Sequence, residues 1–251
     1  MPLISIITVT YNCCHLIDQT TKSILLQDFN NYEYIIVDGN SEDGTQEKIK
    51  STLLKFKVPT KFISEKDKGV YDAMNKAINL CSGQYVIFMN AGDSFYSSET
   101  LNFVSATLSE KTPDVLFGDH ALISKNKETR YIKAKNLSNL WKRMVFCHQS
   151  MFTKRNLLIK NPFEVTNLAA DHTLIYKLYM NQYYFEYTPK TLANYLDDGL
   201  SVQHYRKSIL DRFIGVYKHT KPTTIKIKLI AYYLIIYFLE PLKYKLSKLL
   251  R

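Results

Sequence analysis

Between residues 3 and 93 the chain alternates short β-branched runs with amphipathic stretches, and no other feature restricts its fold as much. Residues 3–10 alternate β-branched and apolar side chains and stop at Tyr11-Asn12, a strand followed by a loop. A helix follows over 16–27, with Ile17, Ile24 and Leu25 as core contacts, then a short buried strand at 34–37 ending at Asp38. The run Gly39-Asn40-Ser41-Glu42-Asp43-Gly44-Thr45 reads as a turn in which Asp43 caps a helix of about 44–56. A third strand is expected at 61–64 and a fourth at 85–89. Between them, 69–81 places Val70, Ala73, Met74, Ala77, Ile78 and Cys81 on one helical face. Such alternation predicts a mostly parallel central sheet flanked by helices on both faces. Beyond residue 95 the pattern weakens. A strand is expected at 114–118, an antiparallel extension at 129–135, and a helix at 168–180 through Leu174, Ile175 and Leu178.

A chain of 251 residues can bury a substantial core. Residues 1–7 lack the basic start and small-residue cleavage site of a signal peptide. Cys13, Cys14, Cys81 and Cys147 show no CxxC or zinc-ligand spacing, so reduced thiols in a cytosolic protein are expected. The net charge of +10 is concentrated in residues 218–251. There Lys218, Lys221, Lys226, Lys228, Lys243, Lys245, Lys248 and Arg251 face Glu240 alone. That charge sits beside the apolar run 229–239, which is far shorter than the ~20 residues a bilayer span needs. Tyrosines and lysines around an apolar run suit a headgroup boundary, so the tail is read as a helix lying on the membrane surface. A helix packed on the catalytic domain or on a second subunit is the alternative. A nucleic-acid partner is not expected, because the basic charge lies mainly in this tail.

Three strands end in polar residues: Thr10-Tyr11-Asn12, Asp38, and Asn90-Ala91-Gly92-Asp93. Parallel strands bring these ends to one edge, where open α/β sheets bind ligands. Tyr11 can stack on a base, Asp38 can accept from a base N–H or a ribose hydroxyl, and Asp93 can hold a divalent cation. The plainer alternative is that these aspartates only begin turns. Asp72 and Asn75 lie at i, i+3 away from the apolar stripe, either cradling a donor sugar or stitching the helix to the metal loop. No G-x-G-x-x-G follows the first strand, which argues against a dinucleotide oxidoreductase, and no glycine- and lysine-rich loop there favours a nucleotidyltransferase.

Four segments carry a more specific likeness: 5–12, 36–45, 67–76 and 83–93, in this order. Together they resemble a family-2 glycosyltransferase with the GT-A fold, of the bacterial surface-polysaccharide kind (O-antigen, capsule or colanic acid). The resemblance implies nucleotide binding by Thr10, Tyr11, Asn12 and Asp38, with Lys68 near the diphosphate, although a solvated loop lysine is the simpler reading. It implies a divalent metal, Mn2+ or Mg2+, at the segment after the fourth strand, held by Asp93, with Asp72, Asn75 and Asn90 toward the donor sugar and diphosphate. Here the chain departs from the Asp-x-Asp form, since Asn90-Ala91-Gly92-Asp93 keeps one carboxylate. The implied chemistry is a single displacement with inversion, from a nucleoside-diphosphate sugar, UDP most commonly, to a hydroxyl of a lipid-linked saccharide. Asp171, at the start of a helix in the second half, is the implied base, and a helix N-terminus favours its ionised form. An N-cap aspartate without a chemical role is the alternative. His148 and Gln149 resemble an acceptor-side pair, and His172, which adjoins the base, could contact the diphosphate or metal.

The expected organisation is a GT-A domain over 1–217 (donor half 1–95, acceptor half 96–217) followed by a basic tail over 218–251. The enzyme would sit on the inner face of the cytoplasmic membrane. The alternative is an inactive scaffold on the same fold, kept open by Asn90.

Overall fold

The computed structural model describes residues 1–124, 126, 128–196, 205–221 and 223–249, without the side chains of 205, 223, 224 and 239–249. The side chains of Glu240, Lys243, Lys245, Lys248 and Arg251, used in reading the tail's charge, therefore lie outside the described residues.

Two compact units are built from interleaved segments. The first takes the described parts of Met1–Lys135, Phe146–Val165 and Tyr183–Asp198; the second takes Asn136–Val145, Thr166–Gln182 and the described part of Gly199–Arg251. The first unit runs β1 (Ile4–Thr10), α1 (Ile17–Leu25), β2 (Tyr32–Asp38), α2 (Thr45–Leu53), β3 (Thr60–Ser64), α3 (Val70–Leu80), β4 (Tyr85–Phe88), β5 (Ser94–Phe95), α4 (Thr100–Lys111), β6 (Val115–Ile123), β7 (Thr129–Ile132), β8 (Met151–Lys154) and α5 (Arg155–Lys160). After an excursion into the second unit through α6 (Ala170–Met180), β9 (Phe185–Leu196) returns to the sheet, and α7 (Tyr205–His219) and α8 (Thr223–Leu249) follow.

The nine strands form one sheet in the order β3-β2-β1-β4-β8-β6-β9-β5, with β7 on β6. The first four strands are parallel, as the alternation predicts. Beyond β4 the sheet is mixed: β8 is antiparallel to β4 and β6, while β9 is parallel to β6. On one face Ile4, Ile6, Tyr34, Ile36 and Ile87 pack with Ile17 and Ile24 of α1, Ile49 of α2, and Leu101, Val104 and Leu108 of α4. On the other face α3 buries Tyr71, Ala73, Met74, Ala77 and Ile78. Phe163 bridges that helix to the sheet, its ring 5.3 Å from Tyr71 and 5.7 Å from Phe88. Burial on both faces is why these strands read as continuous apolar runs.

At the sheet edge where the first strands begin, Glu33 is buried and accepts from Ser5 Oγ at 2.6 Å, from Gly83 N at 2.9 Å, and from the amide and hydroxyl of Ser82. Burial alone would raise its carboxyl, but these donors hold it below the usual range. β1, β2 and the turn into β4 are thereby pinned together. The strand expected at 114–118 continues to Ile123, and the antiparallel extension is present as β7. Six elements were not expected: β5, α4, β8, α5, β9 and α7. β9 carries Pro189, which has no N–H to give the ladder, and the pairing with β6 is irregular there, resuming at Thr191.

The second unit corrects the expected break at 217/218, which falls inside α7. α7 packs with the α6 segment and α8 packs on α7, rather than standing apart as a tail. Leu168 N donates to Asp211 Oδ2 at 2.8 Å, the Tyr176 and Thr220 hydroxyls are 2.7 Å apart, and Ile209, Val216, Leu229 and Tyr233 are buried. Among the described residues no helix is long and apolar enough to cross a membrane.

Candidate active site

The register of the parallel strands sets the site. Thr10 of β1 lies opposite Asp38 of β2, and Asp38 opposite Ser64 of β3. One residue beyond, Gly39 N still donates to Thr10 O at 2.9 Å and Met89 N to Ile7 O at 2.8 Å. The three polar strand ends therefore share one edge, as the sequence predicts.

Asp38 has a different job from the one expected. Its side chain is fully buried and accepts four hydrogen bonds: from Thr10 Oγ1 (2.8 Å), Ser41 Oγ (2.5 Å), Ser41 N (2.8 Å) and Ser64 Oγ (2.7 Å). A carboxylate with its acceptor sites filled has none left for a base or ribose, so Asp38 and Thr10 order the loop instead. Asn12 has left-handed backbone and joins the first two loops, donating from its amide to Ser41 Oγ at 2.8 Å and accepting from Glu42 N at 3.0 Å. Asp43 accepts from Cys14 N and from Thr45 N, so it closes these loops as well as starting α2. This knitting leaves Tyr11 standing out, 66 % exposed, as a platform for a flat ligand.

The second group is the loop after β4. Asp93 N donates to Asn90 O at 3.0 Å, and Gly92 takes φ +96°, a conformation that favours glycine. Asp93 is turned inward and 4 % exposed; Oδ1 accepts from Leu196 N (3.0 Å) and Oδ2 from Gln149 Nε2 (2.8 Å). Burial pushes its carboxyl up to about 6, against the pull of Leu196, Gln149 and the neighbouring His148. Asp93 thus ties the loop to β9 and to Gln149, with one hydrogen bond on each carboxylate oxygen. Asn90 instead holds the oxygen that lacks a partner: its Oδ1 is buried with no hydrogen bond among the described residues, while Nδ2 lies 3.4 Å from His148 Nε2. Gln149, 3 % exposed and committed to Asp93, is too enclosed for the acceptor-side contact expected of it. His148 stands beside Asn90 at the same edge. No group of three or more His, Cys, Asp or Glu side chains suited to a metal gathers among the described residues. A cation here would depend on few protein oxygens and on the ligand's own phosphates.

The residues expected of α3 fold the local chain. Asp72 accepts from Lys68 N at 2.9 Å and pairs with Lys76 Nζ at 3.6 Å, drawing the preceding loop onto the helix. Asn75 accepts from Phe163 N and donates to Phe163 O, both at 2.9 Å. The Asn75 amide thus stitches α3 to the backbone at Phe163, rather than to the loop after β4. The Lys68 side chain is exposed and makes no ion pair among the described residues.

Asp171 belongs to the second unit. Asn167 Oδ1 accepts from Ala169 N at 2.7 Å, a local turn that launches α6. Asp171 then falls in the first helical turn, where Oδ1 accepts from His172 N at 2.8 Å. His172 is buried, its Nε2 2.7 Å from Leu140 O, which removes it as a contact for diphosphate or metal.

One residue outside the expected set holds the Asn90–Asp93 loop. Thr20 Oγ1 of α1, fully buried, accepts from Gly92 N at 2.9 Å and lies 2.7 Å from Asp93 O and 3.1 Å from Asn90 O. Its neighbour Gln19 donates to Gly92 O at 3.1 Å. The signal was present: Thr20 and Thr21 interrupt the apolar stripe between Ile17 and Ile24.

The protein-family model described as "Glycosyl transferase family 2" matches residues 5–173. A "PGL/p-HBAD biosynthesis glycosyltransferase" of Mycobacterium tuberculosis is 32% identical over 157 residues, 62% of this chain and 60% of that protein. The Escherichia coli "UDP-Glc:alpha-D-GlcNAc-diphosphoundecaprenol beta-1,3-glucosyltransferase WfgD" is 28% identical over 125 residues, 49% of this chain and 48% of that protein. The chain thus spans about half to 60% of the length of these curated relatives. Among solved structures, S. aureus TarS 1-349 in complex with UDP superposes with a TM-score of 0.72 at 19% identity, over 95% of this chain and 72% of that one. The mannosyltransferase PcManGT from Pyrobaculum calidifontis, in complex with GDP-Man and Mn2+, gives 0.71 at 18%, over 92% and 70%. These likenesses fix the fold as GT-A. With the family model covering most of the chain, the protein belongs to glycosyltransferase family 2.

Proposed function

We propose that the protein transfers a sugar from a nucleoside-diphosphate donor to a hydroxyl of a lipid-linked saccharide in surface-polysaccharide assembly, with inversion at the anomeric carbon. The observation that carries this reading is the strand-edge site. An exposed Tyr11 stands on one loop, and the neighbouring loop keeps a buried Asn90 Oδ1 without a partner among the described residues. A base stacks on the first and a diphosphate reaches the second. The relative named for a diphosphoundecaprenol-linked acceptor supports the lipid-linked substrate, and the neighbours solved with UDP and GDP-Man support a nucleotide-sugar donor.

A divalent cation, Mn2+ or Mg2+, entering with the diphosphate would offset the charge that grows on the leaving group. Mg2+ commonly rests on one or two protein oxygens plus phosphates and water, which suits this sparse donor set. Asn90 Oδ1 is the oxygen to offer it, with Asp93 bracing the loop from behind. Asp171, in the first turn of α6 where a helix N-terminus favours negative charge, takes the proton from the acceptor hydroxyl. The Lys68 ammonium draws the diphosphate toward the loop before α3.

α8 supports a place on the cytoplasmic face of the membrane. It buries Leu229 and Tyr233 and leaves Ile227, Ile230, Leu234 and Phe238 exposed, between 40 and 66 %. Lys226 and Lys228 lie in its first turns, where they complement anionic lipid. Apolar side chains sink to the acyl boundary while lysines stay among headgroups.

The test is Asp171→Asn. Transfer should fall by about 100-fold or more, within the range lost with a general base, while donor affinity stays within a factor of two. Loss of donor binding together with transfer would make Asp171 structural. Wild-type protein that neither transfers nor hydrolyses any nucleotide sugar would favour the scaffold reading.

A further inference from the structure

The nucleotide reading leaves the identity of the base open, and it rests on a loop where Asp38 is unavailable. The geometry points to Asp67 as the group that takes its place. A methyl carbon built on Gly39 would meet Asp67 Oδ2 at 2.7 Å and Tyr11 Cδ2 at 3.1 Å. The exposed ring, the bare backbone of Gly39 and one carboxylate oxygen therefore converge on one spot. Any side chain at 39 would push Asp67 away, so glycine there is what lets the carboxylate approach. The two oxygens of Asp67 are not equivalent. Oδ1 accepts from Gly69 N at 2.8 Å, which fixes the rotamer, and Oδ2 accepts no hydrogen bond among the described residues.

We infer that Asp67 Oδ2 reads the base of the donor, accepting the single ring N–H of a uracil-type pyrimidine stacked on Tyr11. The inference rests on the nucleotide-sugar function proposed above. The chemistry of the edge decides the class. Uracil and thymine present one N–H between two carbonyls, matching one acceptor oxygen. Guanine presents two adjacent donors, which would engage both oxygens of a carboxylate, and Gly69 already holds one. Cytosine and adenine present a lone pair at the equivalent ring nitrogen, which a carboxylate repels. Hydrogen bonds to charged groups carry more discrimination than neutral ones, because a mismatched base leaves a partly desolvated carboxylate unpaired.

The experiment is equilibrium binding of UDP, N3-methyl-UDP, CDP and GDP to the full chain, as wild type, Asp67→Asn and Gly39→Ala. Wild type should bind UDP about 10- to 100-fold more tightly than CDP or N3-methyl-UDP. Asp67→Asn keeps an oxygen for Gly69 N and adds a donor for the cytosine ring nitrogen, so its preference for UDP over CDP should shrink to within about 3-fold. Gly39→Ala adds a carbon that meets both Asp67 Oδ2 and the Tyr11 ring, so it should weaken both nucleotides through the platform and UDP further, narrowing the UDP-to-CDP preference toward that of Asp67→Asn, with an unaltered melting temperature as the control for folding. UDP binding that is indifferent to N3-methylation and to Asp67→Asn would overturn this assignment and leave the nucleotide-sugar reading intact. No binding of any nucleoside diphosphate would overturn both, and preference for GDP would overturn the base assignment alone.

Discussion

His172 makes the second unit sensitive to acid, and the effect can be worked from its surroundings. The ring is 3 % exposed, its Nε2 faces Leu140 O at 2.7 Å, and its Nδ1 has no partner among the described residues. Burial first, then the nearby Arg212, lowers its pKa from 6.5 to about 4, against the opposing pull of Asp171. The unfolded chain therefore binds a proton below pH 6.5 that the fold refuses until about pH 4. Stability is complete above neutrality and falls as pH drops through this window. At about 1.36 kcal/mol per pK unit the full loss approaches ~3 kcal/mol, with ~2 kcal/mol already gone at pH 5. His172→Gln keeps an N–H for Leu140 O without a titrating group. Trp141, the only tryptophan, packs 5.2 Å from Tyr232 in the same unit and reports its unfolding by fluorescence. Urea melts from pH 4 to 8 should show wild type losing stability on acidification while the variant's profile is flatter by the amount above. Parallel profiles would refute the reasoning, since the histidine would then titrate alike in both states. Because His172 N holds Asp171 Oδ1, transfer activity should decline along the same curve.

Three other perturbations test separate parts of the argument. Thr20→Val keeps the shape but strands Gly92 N–H; it should cost about 1–3 kcal/mol in urea melts and weaken UDP binding, with Thr20→Ser restoring both. If UDP affinity is untouched, the Asn90–Asp93 loop is not part of the donor site. Glu33→Gln should lower stability by about 1–3 kcal/mol at pH 7 without altering the ratio of UDP to CDP affinity, a result read by melts and titration side by side. Its carboxyl is held below the usual range, so its contribution is present at neutral pH and is lost on acidification. Leu234→Glu with Phe238→Glu, both on the exposed stripe of α8, should release the protein from anionic liposomes in flotation without changing the melting temperature. Unchanged flotation would remove the membrane assignment.

The first ninety residues were legible because their physics is local. Strand and helix periods differ, both faces of the parallel strands are buried, and the polar residues that close each strand announce the ligand edge. The alternation alone placed Tyr11, Asp38 and Asn90–Asp93 together. Composition and spacing could not say which oxygens remain available once neighbours fold around them. That depends on contacts across long separations: Asp38 with Ser64, Asp93 with Gln149 and Leu196, Asn75 with Phe163. A carboxylate in a motif looks the same in sequence whether it faces a ligand or is saturated by its own chain. The later half was obscure for a related reason. β8 and β9 are defined by the strands they join rather than by their own pattern, and Pro189 masks one of them. Sequence by itself determined the sheet edge and the family. Only the tertiary structure turned Asp93 inward, left Asn90 Oδ1 without a partner among the described residues, and brought Asp67 to the bare backbone of Gly39.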